Sequence, residues 1–247
     1  MITANLRHSL VRGDAQLAIR LIARGSEREL DQLEQLLREQ GIDAILDDAR
    51  LLDALLETPR GAHASLALFT YVIVRDALRR LGEMDRTIAD YLASLVIEFA
   101  GRDRALRVSP VDDEVYTTLA QLLGDVEGPD ARRTLLVRAH LGNYALWLSG
   151  LFPDHIAHAH WRRGAPDLDY YEELGRRGYE LAAAHRLASE QGLALLFAGA
   201  AERFVVLRNA LNDVSDRLPF PHQHSPERLI RQVRSAMQLR WEGPTRH

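Results

Sequence analysis

The sequence predicts an all-α protein built as one irregular array, or one large bundle, of about ten helices. Apolar residues recur at the three- and four-residue spacing of amphipathic helices along most of the 247-residue chain, and no convincing strand alternation is found. Residues that typically begin and end helices separate these runs. A composition of 47% hydrophobic and 27% charged residues is that of an ordinary globular chain with a sizeable core.

The first sixty residues predict two amphipathic helices that form an added layer. A Ser-x-x-Glu capping box at residues 26–29 precedes the first helix, and a second apolar-faced run covers residues 43–57. The helical pattern is coherent from residue 64 to 218. We therefore expect the sub-layers 1–60 and 61–247 to belong to one domain that spans the whole chain.

Two long helices over residues 64–81 and 85–104 are predicted to be antiparallel neighbours, because only a short turn at Gly82 separates them. Their β-branched runs are compatible with strands, but the lengths of the segments favour buried helices. The next helix is expected to begin at Ser109 and Pro110 and to cover residues 109–126. The segment 124–129 combines glycine, proline and acidic residues, so it is the best candidate for a hinge.

The remaining chain predicts at least four helices. Pro129 and Pro153 are each expected to begin one, because proline is favoured in the first turn of a helix. Residues 167–191 and 193–218 predict two more, and a last helix is expected to begin at Ser225 and to end before Gly243.

The residue types that are absent exclude several chemistries. All 31 residues counted as Lys+Arg are arginine, and the chain has no cysteine. Schiff-base and P-loop lysines, thiolate nucleophiles, thiolate metal sites and disulfides are thereby excluded. The abundance of arginine is typical of a GC-rich bacterial genome.

The charge pattern and the apolar runs predict a cytoplasmic protein that does not bind nucleic acid. The net charge of −4 is mixed along the chain, so no basic stripe for DNA or RNA is present. The longest apolar run, residues 66–74, is too short for a membrane span, and the first residues lack the apolar core of a signal peptide.

The most unusual stretch is residues 135–152, where an imidazole and an amide interrupt an apolar helical stripe. His140, Asn143 and Tyr144 share one face of this predicted helix. His140 is expected either to be a neutral core residue with one hydrogen bond or to line a pocket as a base or a metal or haem ligand. In the second case Asn143 and Tyr144 would orient the bound group.

Glu98 is the second unusual residue, because it lies in an apolar helix beside Arg102 at the next turn. The pair predicts an ion pair at the boundary of the core. Alternatively, Glu98 is a general base, or Glu98 and Arg102 clamp an anionic ligand, and Arg75 is placed similarly.

Histidine clusters predict a candidate metal site. His155 and His158 would face the same way on a helix, and they would bind zinc or iron if a carboxylate joined them. His222 and His224 form a second cluster in a proline-flanked loop. The alternative is that these are partly exposed histidines, since neither an HExxH nor an ExxH pair is present.

Glycines within the predicted helix of residues 167–191 indicate close packing. Gly175 and Gly178 would each cost about 1 kcal/mol inside a helix unless packing or function required them. We expect another helix to approach closely there. A cavity lined by nearby tyrosines is the alternative interpretation.

No complete catalytic motif is found, whether the protein is an enzyme is left open, and no cofactor can be named. The first hypothesis is a non-catalytic binding, regulatory or self-associating scaffold protein that acts as a homodimer or with a protein partner. The second is an enzyme or ligand-binding protein with a metal or small-molecule site in the helical core, lined by His140, Glu98 and nearby residues. The first predicts locally paired polar residues and an exposed apolar patch, whereas the second predicts that at least three of the polar residues converge on a pocket.

Overall fold

A computed structural model describes residues 2–101 and 104–217, and within these residues the chain forms helices and no strand. Of the 13 α-helices, 10 have seven or more residues, which confirms the predicted all-α array of about ten helices. The α-helices are α1 (Arg12–Ala23), α2 (Glu27–Gln40), α3 (Ile42–Leu46), α4 (Arg50–Glu57), α5 (Leu66–Arg80), α6 (Arg86–Ala100), α7 (Leu119–Gly124), α8 (Ala131–Leu151), α9 (Pro153–Arg163), α10 (Leu168–Ala183), α11 (Arg186–Glu190), α12 (Ala194–Glu202) and α13 (Phe204–Arg217).

Helices α1 to α4 form the N-terminal layer, residues 12–57, which packs on α5. The Ser26 side chain caps α2 by accepting a hydrogen bond from the Glu29 backbone N–H. The second half of the predicted capping box is not formed, because the Ser26 N–H donates to the Ala23 carbonyl oxygen. The single helix predicted over residues 43–57 is instead two helices, because the chain breaks at Asp47. There the Asp47 carboxylate accepts hydrogen bonds from arginines of α5 and α6, and these contacts hold it at the break.

Helices α5 and α6 pack against each other and form the centre of the molecule. The turn between them contains Gly82 at a φ of 82°, a left-handed conformation that glycine adopts without strain. Ser65 and Asp85 cap the two helices through their side-chain oxygens. The predicted helix pair is therefore present, with buried apolar faces and not strands.

The helix predicted over residues 109–126 is wrong in its first half, since α7 begins only at Leu119. The true start signal is the Thr118 and Gln121 capping box. Before it, the Asp112 carboxylate accepts a hydrogen bond from the Glu114 backbone N–H, a local turn that competes with a helix. The hinge suggested at 124–129 stays a prediction. Within this segment the Val126 carbonyl accepts a hydrogen bond from Arg138 of α8.

Helices α8 and α10 cross at very short distance. A Cβ atom added at Gly178 would lie 2.6 Å from the backbone nitrogen of Gly142, and one added at Gly142 would lie 2.6 Å from the Tyr179 ring. The close approach predicted from Gly175 and Gly178 is therefore confirmed. The partner at Gly178 is α8, the longest described helix, whereas a Cβ at Gly175 would first meet the Phe204 ring of α13.

The C-terminal part of the described chain has more breaks than the sequence predicts. Residues 167–191 form α10 and α11, and residues 193–217 form α12 and α13. The predicted last helix and the histidines at 222 and 224 lie outside the described residues. Within the described ranges, every helix is too short or too polar to cross a bilayer.

Candidate functional site

His140 is buried on α8, where its Nε2 atom lies 3.0 Å from the Ala105 carbonyl oxygen. Its ring lies 5.4 Å from the Phe99 ring and 6.0 Å, in a stacked orientation, from the Tyr144 ring. Burial, together with the nearby Arg104 charge, lowers the pKa of His140 from 6.5 to about 3. The imidazole is therefore neutral at physiological pH, and these contacts are those of a core histidine.

Asn143 faces a different part of the core. Its Oδ1 atom accepts hydrogen bonds from the hydroxyl groups of Tyr91, at 2.5 Å, and Tyr179, at 2.8 Å. All three side chains are buried, and burial raises the pKa of both tyrosines, which keeps their hydroxyls protonated as donors. This amide joins α6, α8 and α10. Sequence analysis missed the tyrosine pair, although both tyrosines stand in otherwise apolar stripes.

Tyr144 belongs to a row of aromatic rings on the same side of α8 as His140. Its ring stacks on the Trp147 ring at 6.2 Å, and the Trp147 ring also meets the Phe99 ring at 5.8 Å. The Tyr144 hydroxyl donates to the Thr117 carbonyl oxygen at 3.4 Å. His140 and Tyr144 are therefore neighbours, whereas Asn143 is bonded elsewhere.

Glu98 lies at the surface, with 49% of its side chain exposed. Its carboxylate is 3.2 Å from the Nε atom of Arg104, which forms an ion pair with it. Arg102, the predicted partner, lies outside the described residues. An exposed ion pair of this kind contributes roughly 0 to 1 kcal/mol and has the character of a solvated pair.

The histidines of α9 are dispersed along its outer surface. His155 is exposed, whereas His158 is half-buried, with its Nε2 atom 3.4 Å from an Arg162 nitrogen. Over residues 2–101 and 104–217, no group of three or more His, Asp or Glu side chains is placed to hold a metal ion. The metal interpretation of His155 and His158 therefore gains no support from their geometry.

A network of arginines and aspartates, which sequence analysis missed, joins the N-terminal segment and layer to α5 and α6. Arg7 donates from its backbone to buried Asp90 at 2.9 Å and from its guanidinium to Asp43 at 2.8 Å. Arg75 of α5, which the sequence suggested as an anion clamp, donates to Asp47 at 2.8 Å. Because Arg75 is only 4% exposed and bonded to Asp47, it serves to attach the layer.

Two surface grooves lie between neighbouring helices, and the first, between α10 and α12, has the volume of a typical ligand site. This α10–α12 groove has a volume of about 570 Å³ and an alanine floor beside charged side chains. Leu195, which is 87% exposed, precedes Ala198 by one turn on α12, and Val205 is 42% exposed at the other end. The lining residues are Arg176, Glu180, Ala183, Ala184, Ala198, Ala201, Glu202 and Val205.

The second groove, between α1 and α2, is smaller and cationic. This α1–α2 groove has a volume of about 210 Å³. Its lining contains three arginines, Arg12, Arg20 and Arg38. None of them forms an ion pair within the part of the chain that the structure describes. The other lining residues are Gln16, Ile19, Leu30, Glu34 and Leu37.

Neither groove is lined by a residue that the sequence singled out as a candidate site. His140 and Asn143 are bonded within the core, Glu98 is paired at the surface, and the α9 histidines lie on a different helix. Comparison with known protein families, curated proteins and solved structures finds no match to the chain. The geometry of the grooves is therefore the basis for a functional proposal.

Proposed function

We propose that this chain is a cytoplasmic, non-catalytic interaction protein that binds an amphipathic helix of a partner protein in the α10–α12 groove. The observation that carries this proposal is an alanine floor that is open to solvent between two helices. Small side chains in the floor leave room for the large apolar side chains of an incoming helix. Helix-in-groove binding uses this arrangement.

Exposed apolar side chains support the same proposal. Leu195 lies one turn before Ala198 on α12, Val205 lies in the first turn of α13, and all three side chains are exposed. An apolar surface of this kind, rimmed by charged residues, is typical of a protein-binding site. Burying it against a helix would contribute roughly 25 cal/mol for each Å² of apolar area, before the cost of association is subtracted.

The charges around the groove favour a partner helix with basic residues. Glu180 and Glu202 flank the alanines, and Glu202 forms no ion pair within the described residues. The adjoining surface of α10 carries four acidic residues and two arginines. Such a surface attracts a cationic helix and repels an acidic one, and this difference contributes to specificity. The residues of that surface are Asp169, Glu172, Glu173, Leu174, Arg176, Arg177 and Glu180.

The alternative, a catalytic or ligand site in the helical core, has weaker support. Its residues would have to converge on a cavity, and His140 and Asn143 are instead bonded to different core partners. Glu98 is at the surface. The interaction hypothesis expects this pattern of locally bonded polar groups and an exposed apolar face.

The test is fluorescence anisotropy of a labelled, designed peptide that carries leucines on one helical face and arginines on the other. We expect saturable binding to the full-length protein, and at least about tenfold weaker binding to Ala198→Arg, because a long charged side chain would occupy the groove. Ala157→Arg, on the exposed face of α9, is the matched control and should bind like the wild type. A peptide of the same composition in scrambled order controls for simple charge attraction.

Two outcomes would overturn the proposal. One is equal binding of the peptide by Ala198→Arg and Ala157→Arg, since the groove would then not be the site. The other is a stable dimer in sedimentation that Ala198→Arg dissociates, because the occupant would then be a second copy of the chain and not a partner helix.

A further inference from the structure

We infer that the chain carries its own ligand for the α10–α12 groove: the C-terminal segment 225–242 docks there and competes with the partner helix. This inference rests on the proposed function, because it uses the same groove. It names the chemistry of the helix that the groove accepts and adds a means of regulation.

The sequence of the segment predicts an amphipathic helix. Leu229, Val233, Met237 and Trp241 recur every four residues, so they would share one side of a helix. Arg228 and Arg231 fall on the opposite side, whereas Arg234 lies at the edge of the stripe and Arg240 falls within it. A large apolar stripe opposite arginines is the chemistry that an alanine-floored groove beside acidic residues would accept.

The net charges of the segment and of the two grooves favour the α10–α12 site. Residues 225–242 contain four arginines and two glutamates, which gives a formal net charge of +2. The lining of the α10–α12 groove has two glutamates and one arginine, a formal net charge of −1. The α1–α2 groove has three arginines and one glutamate, so it would repel the segment.

The connection to the groove has sufficient length. Val205, at one end of the groove, and Arg217, the last described residue, are twelve positions apart on α13. That separation corresponds to about 18 Å along a helix axis. The seven residues 218–224 span at most about 23 to 25 Å when extended. The segment can therefore begin beside Val205.

Tethering makes even a weak contact effective. A short linker holds a segment at a millimolar effective concentration. With an intrinsic Kd of about 100 µM, molecules with the groove occupied would outnumber molecules with the groove open roughly tenfold. A partner helix would then bind with an apparent affinity reduced by the same factor. Release of the segment would activate binding.

The test exploits the absence of cysteine from the chain. In the full-length protein, Ala198→Cys provides a single thiol in the groove, and its rate of reaction with a maleimide reports access to the floor. We expect this thiol to react about tenfold faster when the apolar stripe of the tail is broken by Val233→Asp and Met237→Asp. Adding a free peptide of sequence 225–242 to the broken variant should restore the slow rate.

Gln16→Cys in the α1–α2 groove is the matched control, since its labelling rate should not respond to the tail substitutions. Equal rates for Ala198→Cys with intact and broken tails would overturn the inference, and so would failure of the free peptide to slow the reaction. If the designed peptide used above nevertheless slows labelling of Ala198→Cys in both chains, the proposed function stands without the inference. If neither peptide slows it in either chain, the proposed function fails as well.

Discussion

The N-terminal layer and the α8–α10 pair are attached to the rest of the protein by different interactions. The layer buries apolar side chains such as Ile22 and Leu55 in the shared core and adds ion pairs such as Asp47 with Arg75. Helices α8 and α10 instead meet backbone to backbone at Gly142 and Gly178. Close packing at the two glycines admits no added atom, whereas the Asp47 side chain stays 20% exposed, so solvent reaches its ion pairs. The closely packed region therefore includes α10, which forms one wall of the α10–α12 groove.

The largest loss of stability is expected from a substitution at Gly178, where α8 and α10 meet. We expect Gly178→Ala to lower the free energy of unfolding by about 3 kcal/mol or more, because the new Cβ would lie 2.6 Å from the Gly142 nitrogen. Urea denaturation measures this loss. Gly124→Ala, where no atom lies within 4 Å of an added Cβ, is the control and should change stability by roughly 0.5 kcal/mol or less. Equal losses for the two variants would show that close packing is not what holds α8 to α10.

The second prediction concerns the amide at the centre of the same region. Asn143→Leu should cost about 2 to 3 kcal/mol, because it leaves the buried Tyr91 and Tyr179 hydroxyls without their acceptor. Thermal or urea unfolding checks the loss. Adding Tyr91→Phe and Tyr179→Phe to this variant should recover most of it, since no unpaired hydroxyl then remains. A triple variant no more stable than Asn143→Leu would contradict this explanation.

Acid should weaken the α8 region before it weakens the N-terminal layer. The folded protein holds His140 neutral with a pKa of about 3, so below pH 6.5 the unfolded state takes up a proton that the folded state does not. The stability that neutral His140 maintains is present above pH 6.5 and is lost progressively as the pH falls towards 3. At pH 5 the loss is about 2 kcal/mol.

His140→Leu provides the measurement, since it removes this proton. At pH 7.5 the variant should be less stable by about 1 kcal/mol, because the Ala105 carbonyl loses its partner. At pH 5 the difference between variant and wild type, measured by urea unfolding, should vanish or reverse. A difference that stays constant between these two pH values would show that His140 is not held neutral.

The smallest effect is expected in the N-terminal layer. Burial raises the pKa of Asp47, but hydrogen bonds from Arg75 and Arg86 outweigh burial and lower it below 3.8. Its contribution is therefore present above about pH 4 and is lost as the pH falls through the lowered value, below most of the His140 window. Asp47→Asn should cost about 1.5 kcal/mol at neutral pH, because buried Arg75 loses the carboxylate that neutralises it while the amide oxygen can still accept a hydrogen bond.

Hydrogen exchange locates this loss. Protection should fall across residues 12–57 in Asp47→Asn and remain unchanged in α8 and α10, because the ion pairs attach only the layer. Arg50→Gln is the control, since it removes ion pairs with Glu29 and Asp48 that lie within the layer. A uniform loss of protection over the whole chain would contradict a separately attached layer.

Local signals made much of the fold predictable. Ser26, Asp85 and Pro153 each begin a helix where the sequence indicates a start, because capping depends on residues only a few positions apart. The error over residues 109–126 has a local cause as well, since Ser109 and Pro110 resemble a helix start whereas the helix begins at the Thr118 capping box. Close packing at Gly178 was also predictable, since a glycine inside a helix needs a reason.

The bonding of the polar core residues was not predictable from the sequence. Asn143 accepts hydrogen bonds from tyrosines that are 52 and 36 positions away in the sequence. The apolar stripe that contains Asn143 and His140 does not indicate which helix packs against each of these side chains. The break at Asp47 likewise depends on Arg75 and Arg86, which lie on other helices. The α10–α12 groove was not predicted from the sequence, because alanines in an amphipathic helix resemble ordinary surface positions.

The most direct test of the central claim is the hydrogen-exchange footprint of the designed cationic amphipathic peptide on the full-length protein. We expect the peptide to slow exchange in the part of α10 from residue 176 onward and in residues 198–205. The exchange rates of α1 and α2 should not change. Protection of α1 and α2 instead, or no protection at a peptide concentration that saturates binding, would contradict it.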